Sequence, residues 1–188
     1  MSDPFFFGYG SLVNRATHGY GRAHPARLRG WARAWRHLPG RRVATLTAVP
    51  DPQAEIAGLI AAVPGGDWAA LDAREAGYDR VALNGGLRHA APEAGAVAIY
   101  AVPEHAIAPA GTLHPILMSY LDVVVQGFAS EFGEAGAVEF FATTRGWEAP
   151  VLNDRARPRY PRHQRLSRAE TTLVDAGLAR LGVRVIGD

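Results

Sequence analysis

The sequence predicts an α+β fold, with closely spaced strands in the first hundred residues and helices mainly after them. Short β-like runs bounded by Gly and Pro recur between residues 5 and 102, which is typical of consecutive strands. Segments 115–132 and 167–181 instead repeat apolar residues at helical spacing. The chain of 188 residues has neither an internal repeat nor a low-complexity linker, so it is predicted to form one domain, 1–188.

The first predicted strand, Phe5–Phe7, runs directly into a glycine-punctuated turn. Three consecutive Phe residues are typical of a strand buried on both faces, and Gly8 and Gly10 allow backbone conformations that a side chain would forbid. Such a turn can direct several backbone N–H groups at one point, where they would bind a carboxylate, a phosphate or an oxyanion. The pattern matches neither a dinucleotide-binding turn, because residue 13 is Val13, nor a serine nucleophile elbow at Ser11. A buried strand with an ordinary tight turn is the alternative.

The next predicted strand, Ala26–Leu38, alternates an arginine- and tryptophan-rich face with an apolar face. The first face carries Arg27, Arg29, Trp31, Arg33, Trp35 and His37. A face of this kind resembles a stacking platform for single-stranded nucleic acid, which makes a nucleic-acid-binding protein one alternative function. In the other interpretation, the arginine stems and indole rings cover the outside of a barrel or pack under a helix.

Further short strands are predicted along the first half of the chain. They are Val43–Val49, Glu55–Val63, Tyr78–Leu83 and Val97–Val102. Pro50 and Pro52 separate the first two, because proline cannot donate to a strand ladder. Residues 103–114 are predicted to be a loop, and its histidines His105 and His114 have no third ligand at zinc spacing, so no metal site is predicted.

A short helix is predicted over Asp67–Gly77, with an aspartate cap at its start and a glycine stop at its end. Within it, Trp68, Leu71 and Glu75 fall on one stripe, so the Glu75 carboxylate is directed toward the core. A buried carboxylate has a raised pKa unless it is paired, which allows it to exchange protons near neutral pH. The alternatives are an ion pair with Arg80 or another arginine, or a helix too short to keep its register.

Three later segments are predicted to be helical: Pro115–Phe132, Ala137–Thr144 and Ser167–Leu181. In the first, the hydroxyls of Ser119 and Tyr120 are candidates to line a pocket, and a core helix with a buried tyrosine is the alternative. The last begins with Ser167 and Glu170, which form a capping-box pattern. An arginine-rich segment that includes Tyr160 precedes this helix, and together they are predicted to form a C-terminal wrap and helix over residues 150–188.

The charged residues favour a small anionic ligand over nucleic acid. All 20 basic residues are arginine, against 18 acidic residues, and this near balance disfavours a nucleic-acid-binding protein. The arginines nevertheless cluster, with eight between Arg15 and Arg42 and six between Arg155 and Arg168, and two such patches would attract an anionic substrate. No apolar stretch approaches the ~20 residues that span a bilayer. Since the chain has no cysteine and its start lacks a signal-like pattern, we expect a cytoplasmic protein.

Two motifs give the chain a resemblance to the γ-glutamylcyclotransferase superfamily. The first is Tyr9-Gly10-Ser11-Leu12 at the end of the first strand. The second is Arg74-Glu75-x-x-Tyr78, which follows a short helix about sixty residues later. Their spelling, order and separation resemble the ChaC-like branch most closely, over residues 5 to about 130. Asn14 departs from that branch, which usually has an aromatic residue there, and this departure bears on glutathione specificity more than on the reaction.

The resemblance implies a small mixed β-barrel with peripheral helices. It also implies an enzyme that cyclises a γ-glutamyl group to 5-oxoproline and releases the attached amine, amino acid or Cys-Gly. Glu75 would be the catalytic acid and base, and the turn Tyr9–Leu12 would cradle the substrate. Four further residues are candidates for substrate binding: Tyr78, Arg80, Tyr120 and Tyr160.

The implied enzyme needs neither a metal nor an organic cofactor. Its expected partner is a small γ-glutamyl molecule, with no nucleic acid and no membrane, and the oligomeric state stays open. The alternative on the same fold is a non-catalytic module that binds γ-glutamyl or other acidic small molecules. Such a module would keep the glycine turn without using a carboxylate such as Glu75 for catalysis.

Overall fold

The largest element of the structure is a mixed sheet built around the first strand. The computed structural model describes residues 3–109, 111 and 113–187. The strands in these residues are β1 (Phe5–Gly8), β2 (His24–Arg36), β3 (Thr45–Ala62), β4 (Asp79–Ala82), β5 (Leu87–His89), β6 (Val97–Ala101), β7 (Ile116–Leu117), β8 (Thr144–Arg145), β9 (Val151–Asn153) and β10 (Val185–Gly187). The main sheet has the order β4-β6-β1-β3-β2-β5, with β8 paired to β2, and a smaller sheet has the order β10-β9-β7.

Three α-helices accompany these sheets in the described residues: α1 (Ala69–Arg74), α2 (Met118–Thr143) and α3 (Arg168–Leu181). The predicted α+β class is therefore confirmed. α2 joins the two helices predicted at 115–132 and 137–144, and its helical geometry is interrupted at Gly133, where φ is +69°. α3 begins with the predicted capping box between Ser167 and Glu170. None of the described helices combines the length and the apolar character that crossing a membrane requires.

β1 lies inside the main sheet, which explains its apolar sequence. It runs antiparallel to β3 and parallel to β6. Phe5, Phe6 and Phe7 are at most 1% exposed, so both faces of the strand are covered, as three consecutive Phe residues predicted. The strand ends at Gly8, and the chain then leaves the sheet through the glycine turn.

The main sheet is curved, because its two edge strands are consecutive in the chain. β4 and β5 lie at opposite ends of the strand order, yet only residues 83–86 connect them. A link of this length spans at most about 18 Å, so the two edges must approach each other. The strand pairing of the described residues includes no β4–β5 ladder. The predicted closure into a barrel therefore stays a prediction.

β3 is one long strand where two shorter strands were predicted on either side of Pro50 and Pro52. The register with β2 explains the difference. The ladder is interrupted between the residue pairs Arg29–Glu55 and Trp31–Pro50. Between these pairs β2 has one residue, Gly30, whereas β3 has four, residues 51–54. The extra residues bulge out of the ladder, so a proline there removes no strand-to-strand hydrogen bond. The prediction that one strand ends and another begins at these prolines was therefore wrong, but the prolines mark the position of the bulge.

The same irregularity disrupts the predicted arginine and tryptophan face of β2. Before it, Arg27 and Arg29 form ion pairs with glutamates. After it, Arg33 is 0% exposed and Trp35 is 2% exposed. The guanidinium of Arg33 lies 4.9 Å from the ring centroid of Phe128 in α2. These side chains therefore form no exposed stacking platform, and the alternative of packing under a helix describes Arg33 correctly.

Candidate functional site

A cavity of about 180 Å³ opens beside the turn that follows β1. It is lined by Ser11, Arg41, Val43, Ala44, Thr45, Leu46, Arg74, Glu75, Tyr78, Leu117, Tyr120, Tyr160 and Arg162. A recess of about 30 Å³ adjoins it and is lined by Phe7–Leu12, Leu46, Glu75, Tyr78, Tyr100 and Tyr120. Pockets for drug-sized ligands typically measure about 300–1,000 Å³, so this site suits a molecule of amino-acid or dipeptide size.

The turn after β1 is packed too tightly for a side chain at either glycine. A Cβ at Gly8 would lie 2.6 Å from the Cβ of Leu12, and a Cβ at Gly10 would lie 2.7 Å from the hydroxyl oxygen of Tyr120. Neither glycine has a positive φ. Close approach of neighbouring atoms, rather than a left-handed backbone, therefore requires glycine here.

After Gly10 the chain forms a short 3₁₀ turn, Ser11–Val13. The N–H of Val13 donates to the Gly10 carbonyl at 3.0 Å. The N–H groups of Ser11 and Leu12 precede this first bond, so the turn itself supplies no acceptor for them. Ser11 and Tyr120 both line the recess. Gly10, Ser11 and Leu12, residues of the predicted cradle, line the recess.

Glu75 reaches the cavity from the end of α1 rather than from a helical stripe. α1 has only 6 residues, and Glu75 is its C-cap with φ −94° and ψ 30°. The predicted helix over 67–77 was therefore too long. The Glu75 side chain is 17% exposed and lines both the cavity and the recess. Glu75 and the residues of the glycine turn thus line one small space.

Arg74 connects this carboxylate to the glycine turn. Its Nε lies 3.2 Å from Oε1 of Glu75. Its other nitrogens donate to the Thr17 carbonyl at 2.8 Å, the Thr17 hydroxyl at 3.0 Å and the Ser11 hydroxyl at 3.3 Å. The ion-pair partner of Glu75 is therefore its neighbour Arg74 and not Arg80. Since the Arg74 side chain is only 7% exposed, it fixes the carboxylate relative to the turn.

Burial raises the pKa of Glu75 above its ordinary value. The positive charges of Arg74, Arg162 and Arg41 oppose this shift, but the loss of hydration outweighs them. A raised pKa brings the carboxyl group closer to neutral pH. The group is then suited both to accept a proton and to return it.

Four tyrosines line the recess, and the hydroxyls of three of them, Tyr9, Tyr78 and Tyr120, are fully buried. Tyr9 donates to the Tyr100 carbonyl at 2.5 Å, and Tyr78 donates to the Leu46 carbonyl at 2.8 Å. Tyr120 is the third, and it also lines the larger cavity. Burial raises the pKa of all three hydroxyls, so each stays protonated near neutral pH and can act as a hydrogen-bond donor.

Tyr160 enters the cavity from the segment between β9 and α3. Its ring packs edge-on against Tyr120, with 5.0 Å between the centroids, and its N–H donates to the Ser119 hydroxyl at 3.1 Å. Asp154 is 0% exposed and accepts hydrogen bonds from the Ser119 N–H at 2.7 Å and the Ser119 hydroxyl at 2.6 Å. This buried polar cluster anchors the C-terminal segment beside the cavity.

Arg80 is the predicted site residue that the structure places elsewhere. Its Nη1 lies 2.9 Å from a carboxylate oxygen of Asp72, and its guanidinium lies 4.5 Å from the Trp68 ring centroid. It lines neither the cavity nor the recess. β4 spans Asp79–Ala82, so the predicted strand Tyr78–Leu83 was one residue too long at each end and Tyr78 lies outside β4.

Two cationic cavity residues, Arg41 and Arg162, were not singled out from the sequence. Arg41 lies in the connection between β2 and β3, and Arg162 lies between β9 and α3. Each belongs to one of the two arginine clusters, which were the signal for an anionic ligand. In the described part of the chain, no group of three or more His, Cys, Asp or Glu side chains is placed to hold a metal ion.

Comparison with solved structures defines the class of fold. A γ-glutamyl cyclotransferase matches with a TM-score of 0.57 and 15% identity, over 94% of this chain and 99% of its own. An uncharacterised human protein matches with a TM-score of 0.59 and 15% identity, over 93% of this chain and 99% of its own. YkqA from Bacillus subtilis matches with a TM-score of 0.52 and 18% identity, over 78% of this chain and 57% of its own.

The chain therefore has the fold of the γ-glutamyl cyclotransferases. The resemblance inferred from its two motifs is confirmed at the level of the fold. The sequence itself matches no protein-family model and no curated protein.

Proposed function

We propose that the protein is a cofactor-independent γ-glutamyl cyclotransferase. The observation that supports this most directly is that Glu75 and the turn Gly8–Leu12 line the same recess. A γ-glutamyl substrate bound between them would place its α-amino group at the carboxylate and its γ-carbonyl oxygen at the N–H groups of the turn. The shared fold supports the same assignment.

In the proposed reaction, the substrate's α-nitrogen attacks the carbonyl carbon of its own γ-carboxamide, and the bond from that carbon to the leaving nitrogen breaks. The α-ammonium group loses two protons, and the leaving nitrogen gains two, so no co-reactant is consumed. Glu75 would transfer these protons, a role that its raised pKa favours. General acid–base catalysis of this kind typically contributes about 10²–10⁴-fold to the rate, and binding the substrate in a folded conformation contributes through proximity.

The glycine turn would stabilise the negative charge that develops on the γ-carbonyl oxygen. The candidate donors are the backbone N–H groups of Gly10, Ser11 and Leu12. The Tyr120 hydroxyl lies beside them and is protonated. Losing one such donor typically costs about 3 kcal/mol of transition-state stabilisation. The same donors would serve the substrate's α-carboxylate if the substrate bound with that group in the recess.

The substrates within this reaction class are γ-glutamyl amino acids, γ-glutamyl amines and glutathione. The similarity of the Tyr9–Leu12 and Arg74–Tyr78 motifs to the ChaC-like branch favours glutathione, whereas Asn14 departs from that branch. The structure ties Asn14 to α2, since its side-chain amide donates to the Val123 carbonyl at 2.9 Å. The residue therefore supports the turn from behind.

The proposal is tested by incubating the purified protein with a panel of γ-glutamyl compounds. We expect 5-oxoproline and the free amine to be released in equal amounts from at least one of them. A non-catalytic binding module on the same fold predicts saturable binding without product. Binding of γ-glutamyl compounds without any release of 5-oxoproline would therefore contradict the proposed reaction and favour that module.

A further inference from the structure

Two guanidinium groups at the cavity, those of Arg41 and Arg162, lack an acidic partner at ion-pair distance in the described residues. The Arg41 guanidinium donates to a backbone carbonyl, that of Ala76, at 2.9 Å. Several other arginines are paired with carboxylates, as Arg15 is with Glu131 at 2.6 Å. Both Arg41 and Arg162 are exposed, which places them at the open side of the cavity.

The charges around the cavity do not balance without a ligand. Three arginines and one carboxylate line it. Glu75 is already paired with Arg74, so Arg41 and Arg162 contribute an excess of positive charge. A γ-glutamyl group by itself carries one ammonium and one carboxylate group and adds no net charge. A further carboxylate on the leaving amine would offset one of these two positive charges.

The positions of the two arginines match the leaving end of a bound substrate. Glu75 and the glycine turn line the recess, but neither Arg41 nor Arg162 does. A substrate whose γ-carbonyl group lies at the recess therefore extends its leaving amine into the wider cavity, where the two guanidinium groups lie.

We propose that Arg41 and Arg162 bind the carboxylate of the leaving amine, so that γ-glutamyl amino acids and peptides with a free carboxylate are preferred over γ-glutamyl amines and amides. This inference rests on the proposed cyclotransferase reaction, because that reaction defines the leaving amine. Arg41 and Arg162 are thereby specificity-determining residues, and they do not take part in proton transfer.

A matched pair of substrates tests the proposal: γ-glutamyl-alanine and γ-glutamyl-alaninamide, which differ in one charged group. We expect kcat/KM of the wild-type protein to be at least about tenfold higher for the acid, mainly through KM. Measured at a pH above the acidic limb set by Glu75, Arg41→Gln and Arg162→Gln should each lower this value for the acid by about tenfold, while the value for the amide stays within about twofold. Arg42→Gln and Arg157→Gln neutralise neighbouring arginines that do not line the cavity, and they should change neither value.

Equal turnover of the acid and the amide by the wild-type protein would overturn the inference. An equal loss for both substrates in the Arg41→Gln and Arg162→Gln variants would do the same, since it would indicate a structural role.

Calorimetric binding of the two compounds to the Glu75→Gln variant separates this inference from the proposed reaction. Selective binding of the acid, without product from the wild-type protein, would contradict the reaction and support the arginine selectivity. Product formation without selectivity would support the reaction and contradict the inference. If the wild-type protein forms no product and Glu75→Gln binds the two compounds equally, both the proposed reaction and the arginine selectivity are contradicted.

Discussion

The hydroxyl oxygen of Tyr120 occupies the space that a side chain at Gly10 would need, 2.7 Å from the position of its Cβ. Gly10→Ala should therefore displace either the tyrosine or the turn, lower activity and reduce the free energy of unfolding by about 1–3 kcal/mol. Urea unfolding and turnover measure the two effects. Gly19→Ala, at a glycine with open space around it, is the control and should change neither.

Tyr120→Phe in the Gly10→Ala background removes the clashing oxygen and should restore most of the lost stability. A Gly10→Ala variant as stable and active as the parent would contradict this account of the turn.

Arg74→Gln is expected to move the acidic limb of the kcat/KM profile to higher pH. Glu75 must be deprotonated to accept a proton, so activity falls as the pH drops through its pKa. Arg74 makes the largest opposing contribution to the rise in that pKa, so removing its charge raises the pKa further. Arg80→Gln, whose partner Asp72 lies outside the cavity, should leave the limb in place. A limb in Arg74→Gln that stays fixed, or moves to lower pH, would contradict the assignment of the proton carrier to Glu75.

Arg33 is a buried cation whose replacement should depend on side-chain volume. Its guanidinium donates to the Ala57 carbonyl at 2.7 Å and to the hydroxyls of Thr143 at 2.7 Å and Thr144 at 3.2 Å, none of which is a carboxylate. Burial lowers the pKa of Arg33 to about 9, which shows how strongly the site disfavours the charge. Arg33→Ala should cost about 3–5 kcal/mol, and Arg33→Met should cost less because it fills the space. If urea unfolding shows the same loss in the free energy of unfolding for Arg33→Ala and Arg33→Met, this explanation is contradicted.

Asp154→Asn should weaken the attachment of the C-terminal segment to the cavity. The buried carboxylate accepts hydrogen bonds from the Ser119 N–H and hydroxyl and from the Arg159 N–H at 2.9 Å. An amide replaces one accepting oxygen with a donor, so we expect a loss of about 1–3 kcal/mol in stability and a higher KM through displacement of Tyr160. Asp175→Asn, at an exposed residue, is the control. Unchanged KM in Asp154→Asn would show that the segment does not position the substrate.

Local patterns in the sequence predicted the parts of the site that depend on consecutive residues. Phe5–Phe7 predicted a buried strand, and the glycines after it predicted a turn with accessible N–H groups. Because Glu75 shares an otherwise apolar stripe with Trp68 and Leu71, its carboxylate was predicted to face inward. The helix was nevertheless too short, and the cap geometry of Glu75, rather than helical periodicity, directs the carboxylate to the cavity.

Features that depend on distant parts of the chain could not be predicted in this way. The bulge of β3 opposite Gly30 changes which side chains of β2 share a face, and it becomes visible only in the register between the two strands. Arg41 and Arg162 meet at the cavity because the fold brings two separate arginine clusters together. Arg80 was predicted to bind the substrate, but its contacts with Asp72 and Trp68 hold it outside the cavity.

The most direct test of the central claim compares Glu75→Gln with the wild-type protein in the release of 5-oxoproline from γ-glutamyl substrates. Glu104→Gln, at an exposed residue outside the cavity, is the matched control and should retain full activity. The account predicts that Glu75→Gln folds as the parent does and loses at least about 10²-fold in kcat. A folded Glu75→Gln variant that releases 5-oxoproline at the wild-type rate would contradict it.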